Sequence, residues 1–457
     1  MTSLSLSLHH RNSSARIGTY NKCARIFSLL FSQSPGTKSS QPIERKHDYG
    51  QRDANRHPLP PLTVNTERLR TALENVAKVH AALDMTASYM MRLSEPDRAL
   101  RNPATAEPSM LALIEALRND PELEIFNNKA LVIAGVKRLF TYATLASWLI
   151  SRTTKIDETL EDLATYLNAK EFQCDQVLAF YGLDLDQPAD LGDGISLLPW
   201  ERLPESPEKQ MVSFSRTQII HMISGKPSAL YRSFKTIKRH IKAESDTLSQ
   251  KEHTPEFELH DALICIGLAM PWRWQILASW VGIPKWVPTF SPYEPSRSID
   301  QCWPKKLLPE ALAEAKKLFA SFHKRDQNTK AHIRLAMERL NQMAEKGVVD
   351  AAIDLGIALE TLYLNDPGED RGELTFRMKI RSARFLGRDE ADRQRIFDLV
   401  GELYTLRSAA VHKGKLPAKY SVRSVREVLD KGFDLGTQTV RRFIVEGSPN
   451  WNEVQMN

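Results

Sequence analysis

Cysteine is scarce in this chain: Cys23, Cys174, Cys265 and Cys302 are four in 457 residues, and no two form a C-x2-C pair. That spacing argues against a zinc knuckle and a disulfide framework, and it fits a reducing compartment. Long hydrophobic runs are also missing. The best, Ala130 to Ile150, is broken by Lys137 and Arg138. A spanning helix needs roughly 20 mainly apolar residues, so this segment reads as a buried or interfacial helix and no membrane partner is expected. The sequence has no phosphate-cradling glycine loop, no G-x-S-x-G elbow and no H-E-x-x-H helix, which removes the commonest signatures of nucleotide, serine-hydrolase and zinc-peptidase chemistry. His253 and His260, with Glu256 and Glu258 between them, lack a recognised metal-ligand spacing. No metal and no cofactor is expected. Neither sign of charge dominates: the net charge is +6, which permits a polyanionic partner without requiring one.

Acidic residues are absent before Glu44, while Arg11, Arg16, Lys22, Arg25 and Lys38 stand among many serines. That composition is shared by organelle transit peptides. The plainer reading, and the favoured one, is a disordered leader or sequence upstream of the true start. Residues 1–63 are therefore taken as leader and linker, closing on Pro58-Leu59-Pro60-Pro61, and the protein is expected in the cytoplasm.

Hydrophobic spacing divides the rest. Leu69, Leu73, Val76, Val79 and Leu83 recur at helical intervals over Thr66–Leu93, and further helices follow at Pro108–Leu117 and Ile156–Leu167. Val177–Tyr181 and Ile195–Trp200 read as strands of a hairpin or small sheet around a Gly/Asp-rich turn, and 201–210 reads as loop. Residues 64–304 thus form a mixed α+β region of unknown role. The Pro/Trp-rich stretch Pro284–Pro304 marks a boundary. Beyond it, helical periodicity predicts segments at 307–325, 328–346, 348–364, 371–387, 389–413 and 421–445, joined by short turns. The expectation is a mainly α protein: an antiparallel helical bundle over 305–447, a smaller α+β region before it, and a tail at 448–457.

Two features before residue 304 have a nucleic-acid reading and a plainer one. Arg232, Lys235, Lys238, Arg239 and Lys242 lie in a helix predicted over Ser228–Ala243, where they would either contact an RNA backbone or form a solvated face. Trp272, Trp274, Trp280 and Trp286, with Tyr293, would either stack bases or fill a core. In both cases the plainer reading is favoured.

The chemistry concentrates in Leu403-Tyr404-Thr405-Leu406-Arg407-Ser408-Ala409-Ala410-Val411-His412. On a helical wheel Leu399, Leu403, Leu406 and Ala410 form the core stripe, Arg407 lies beside it, and Tyr404, Ser408 and His412 share another face. His412 is therefore expected at the surface or against a partner. Arginine holds a phosphate through a permanent two-pronged charge, and histidine both takes and gives a proton near neutrality. The two lie about 140° apart around the helix, so one pair does not readily grip one phosphate. A two-fold dimer would bring a second pair.

This pattern resembles the HEPN domains, helical bundles whose ribonuclease members carry an R-x4-6-H motif on a late helix. Over about 310–445 the resemblance is strongest to the ApeA-like HEPN family, carried by Asp350–Leu364, by Thr375-Phe376-Arg377 through Ala383-Arg384-Phe385-Leu386, and by Leu403–His412. It implies a homodimeric, metal-independent endoribonuclease in a bacterial defence or toxin setting, with RNA as partner and an N-terminal region that answers an unknown trigger. His412 would be the general base or acid and Arg407 the phosphate clamp. Ser408, where many members carry Asn, Asp or His, would orient the histidine or the RNA. Tyr404 and Glu360 would support the site, Glu360 more often as a structural ion-pair residue. The alternative is a non-catalytic HEPN scaffold for dimerisation and nucleic-acid binding.

Overall fold

The computed structural model describes residues 66–82, 95–103, 106–127, 129–133, 136–217, 226–242, 255–270, 274–289, 293–295, 304–343, 346–365, 373–417 and 420–456. The expected leader at 1–63 and residues 83–93 of the first predicted helix lie outside them.

The N-terminal part opens with helices α1 (Thr66–Ala82), α2 (Glu95–Arg101) and α3 (Pro108–Arg118). Pro108 sits in the first turn of α3, where its missing N–H costs nothing. The apolar stretch 130–150 is not one helix. It folds as strands β1 (Lys129–Ile133) and β2 (Val136–Phe140), followed by α4 (Tyr142–Ile150). The β-branched pair Val132-Ile133 favours a strand at its start, and the Thr141 side chain, accepting from the Thr144 N–H, starts the helix. Helix α5 (Ile156–Asn168) agrees with its periodicity.

A six-stranded antiparallel sheet comes next. Its strands are β3 (Glu171–Tyr181), β5 (Ala189–Gly192), β6 (Ile195–Pro199), β7 (Ser228–Ile237), β9 (Gln275–Gly282) and β10 (Tyr293–Pro295), in the order β10-β9-β3-β7-β6-β5. The short strands β4 (Leu183–Asp184) and β11 (Lys305–Lys306) pair with each other, and β8 (His240–Lys242) joins β1 and β2. Two helices flank the sheet: α6 (Pro207–Thr217), whose first four residues fall in the stretch expected to be loop, and α7 (Pro255–Ala269).

The segment expected as a basic helix over 228–243 is thus strand. Its cations recur every three or four residues, which imitates a helical face. Leu230, Phe234 and Thr236 nevertheless alternate as a strand does, and Phe234 and Thr236 pair in register with Cys174 and Phe172.

Beyond 304 the helices fall where periodicity places them: α8 (Pro309–His323), α9 (Gln327–Met343), α10 (Val348–Tyr363), α11 (Leu374–Leu386), α12 (Glu390–Lys413) and α13 (Val422–Glu446). The stretch expected as a tail carries a further helix, α14 (Trp451–Met456). Its Trp451 is buried against Tyr363, Phe385 and Phe443.

One face of β3 serves two cores. Phe172 and Cys174 pack with the N-terminal helices, while Leu178 and Phe180 join a second cluster. That second cluster runs through Leu259, Leu263 and Ile266 of α7 into Leu318, Phe322, Leu355, Leu403 and Phe443 of the C-terminal helices without a break at residue 304. The opposite face, with Val177, Ala179 and Tyr181, is covered by Trp200, Leu203 and Val212. Among the described residues no helix is long and apolar enough to cross a membrane.

Candidate functional site

Helix α12 positions the motif. Asp389 caps its start, accepting from the Asp392 N–H at 2.8 Å. Gly414 ends it in the left-handed region, φ 61°, with its N–H donating to the Ala410 carbonyl. Its buried apolar residues are Ile396, Val400, Leu403, Leu406 and Ala410; Leu399 is only partly covered. This stripe rotates the functional residues to different depths.

Arg407 is half-buried between α12 and α10. Its Nη2 lies 3.1 Å from each oxygen of Glu360. Both side chains keep some exposure, 24% for Arg407 and 30% for Glu360, so the ion pair is open to competition by solvent or another anion. The stem of Arg407 lies against the α10 backbone at Gly356, where an added Cβ would fall 2.3 Å from the arginine Cγ. The Arg407 Nε–H is buried without a hydrogen-bond partner among the described residues. A donor left so costs about 1–3 kcal/mol, and stability alone gives no reason to choose arginine there.

Ser408 and Tyr404 are half-buried, Tyr404 against the main core cluster. His412 is exposed, about one and a half turns beyond Arg407, in the last turn beside Lys413, where cations suit the helix dipole. The fold therefore joins Arg407 to Glu360 and leaves His412 clear of the protomer's own core. The arrangement offers an anion-binding guanidinium and an accessible imidazole on one helix.

The other candidates are absorbed into structure. Arg232 pairs with Glu258, and Lys235 Nζ is 2.7 Å from Glu171. Lys238 Nζ donates to the Tyr166 and Leu167 carbonyls, at 2.6 and 2.7 Å, at the end of α5. Arg239 is exposed in the link between β7 and β8, and the Lys242 side chain is outside the described residues. Trp274 and Trp280 are buried, and Trp286 packs on Tyr166 and Phe172; Trp272 and the side chain of Tyr293 lie outside the described residues. No cluster of potential metal ligands occurs among the described residues. His253 and the Glu256 side chain are not among them. Burial pushes His260 down to about 4.

Gly356 and the buried fork of Arg334 on Asp261, at 2.7 and 2.8 Å, were not visible as site or junction residues in the sequence. A glycine inside a run of good helix formers is a signal of close approach, but the approaching group belongs to a helix about fifty residues away. Comparison with family models, curated proteins and solved structures finds no match.

Proposed function

We propose that the protein is a metal-independent endoribonuclease of HEPN type, acting as a homodimer in the cytoplasm. The observation that carries the reading is the exposed His412 on the same helix as the half-buried, partly open Arg407. In this mechanism Arg407 holds the scissile phosphate and offsets the charge that grows on it. His412 takes the ribose 2′-hydroxyl proton as general base or protonates the leaving 5′-oxygen as general acid. Ser408 orients the histidine or the RNA, and Tyr404 supports that face. Products carry 2′,3′-cyclic phosphate and 5′-hydroxyl ends. Two protomers contribute two sets of these residues. A defence or toxin role, with the N-terminal region answering a trigger, extends the same family resemblance.

The Arg407–Glu360 ion pair supports a second reading, a non-catalytic HEPN scaffold for dimerisation and nucleic-acid binding. One experiment separates the two. The purified protein is incubated with RNA in EDTA, beside His412→Ala. The nuclease reading expects cleavage by wild type and none by the variant, with oligomeric state and melting temperature unchanged because His412 is exposed. Cleavage that persists in His412→Ala removes the mechanism, and an inactive wild type that still dimerises and binds RNA favours the scaffold.

A further inference from the structure

Four glycines of the C-terminal helices lie where another helix comes close, and at one of them, Gly401, an added Cβ would meet the far end of the flexible Lys379 side chain, Cε and Nζ at 3.1 and 3.2 Å. At Gly432 an added Cβ would meet Leu355 at 2.5 Å and Leu403 at 2.9 Å, and at Gly436 it would meet Leu340 at 3.0 Å. Those two make room for leucines, as ordinary core packing requires. Gly356 differs. It makes room for the stem of a cation: Arg407 Cγ, Cβ and Cδ would lie 2.3, 3.1 and 3.3 Å from the added atom. One helical turn further along α10, Glu360 receives the guanidinium. Glycine is a poor residue for a helix interior, so its use here calls for a cause, and the cause on hand is the arginine.

We infer that Gly356 is a positioning residue for Arg407: it seats the arginine stem against the α10 backbone so that Glu360 fixes the head and the remaining guanidinium edge faces a phosphate. The inference rests on the proposed nuclease reading and deepens it. The conflict falls at Cγ, near the root of the side chain, so a methyl group at 356 displaces the whole stem. The charge survives and still attracts RNA. Its placement in the transition state does not, and misplacement by an ångström costs as much as a hundredfold in rate.

A cycle of Gly356→Ala, Arg407→Ala and the double variant tests this in two readouts. The first is melting temperature, which does not depend on activity. Gly356→Ala lowers it in the wild type. With the stem removed, the conflicts with Cγ at 2.3 Å and Cδ at 3.3 Å are gone while the Cβ contact at 3.1 Å stays, and the same substitution raises the melting temperature through better helix propensity. A Gly356→Ala protein that fails to fold while the double variant folds is the same result in stronger form. Equal shifts in both backgrounds overturn the seat. The second readout is cleavage in EDTA, well below every melting transition. Gly356→Ala loses at least about tenfold in kcat, with KM for RNA within about threefold. An unchanged kcat beside a confirmed seat overturns positioning and leaves the nuclease reading intact. A wild type without cleavage overturns that reading and positioning with it, while the melting cycle still reports the seat as packing.

Discussion

Burial holds His240 neutral. The ring lies beside Phe140, its Nε2 bonds to the Tyr166 hydroxyl at 2.7 Å, and desolvation, helped by Lys238 and Lys129, pushes its pKa down to about 4. His260 is likewise driven to about 4 by burial, with Arg334 adding to it. Above the ordinary histidine value of 6.5 both folded and unfolded chains keep these rings neutral. Below it the unfolded chain gains protons that the folded chain refuses, so stability falls as pH drops from about 6.5 and levels off near 4. Each ring contributes at most about 3 kcal/mol, less where solvent still reaches it. Urea midpoints at pH 7 and pH 5 therefore differ, the lower pH being less stable. His240→Leu lowers stability overall yet flattens that difference; an unchanged pH slope in the variant would assign the effect elsewhere. None of this was legible in the sequence, because a histidine's environment comes from strands and helices far away along the chain. The opposite holds for His412. Its surface position follows from the stripe Leu403, Leu406 and Ala410 alone, since any residue on another face of that helix is left outside the core.

At the scale of elements, Lys238 ties two of them together. Its ammonium caps the last carbonyls of α5 and lies 4.8 Å from the centre of the Tyr166 ring, and burial lowers its pKa to about 8. Lys238→Met keeps the aliphatic stem and removes the cap. It should cost about 1–2 kcal/mol in urea unfolding, with protection of the α5 amides lost first in hydrogen exchange; full protection of α5 in the variant would count against the capping role. The same residue shows why this part of the chain misleads a reader of sequence. Cations at 232, 235, 238 and 242 fall on a helical face by spacing, while the strand is selected by non-local pairing with β3, a partner no local window contains. The 130–150 stretch fails for a related reason: a strand pair and a helix in succession leave one largely apolar run, interrupted by Lys137 and Arg138 in β2. The helices after 304 were legible because each buries a stripe with the 3.6-residue period and ends at a short polar or glycine-containing turn. The contact between Gly356 and Arg407 was not, since it arises only when two such helices pack.

At the scale of the molecule, sequence texture changes at 284–304, yet the C-terminal helices spend their polar groups on the region before it. Arg334 of α9 forks onto Asp261 of α7, which is 2% exposed. Arg441 of α13 donates to the Leu268 carbonyl at 2.7 Å and pairs with Glu314, and Asn341 donates to the Trp274 carbonyl at 3.0 Å. Burial raises the pKa of Asp261 while Arg334 opposes that rise. The carboxylate and its partner depend on each other, and breaking such a pair costs about 3–5 kcal/mol. The apolar side is equally shared, since Leu318, Phe319 and Phe322 of α8 lie in one cluster with Leu259, Leu263 and Ile266 of α7. A fragment spanning 305–457 would keep every helix of the proposed nuclease but uncover that face, strand Arg334 and Asn341, and leave Arg441 with Glu314 alone. It is expected to bind a hydrophobic dye and to sediment as aggregates, whereas the full chain melts both parts in one transition. A fragment that stays monodisperse and melts cooperatively would show that the helices after 304 need nothing from the sheet. The junction, with Asp261 and Arg334 at its centre, would then be a contact between two independent folds rather than part of one core.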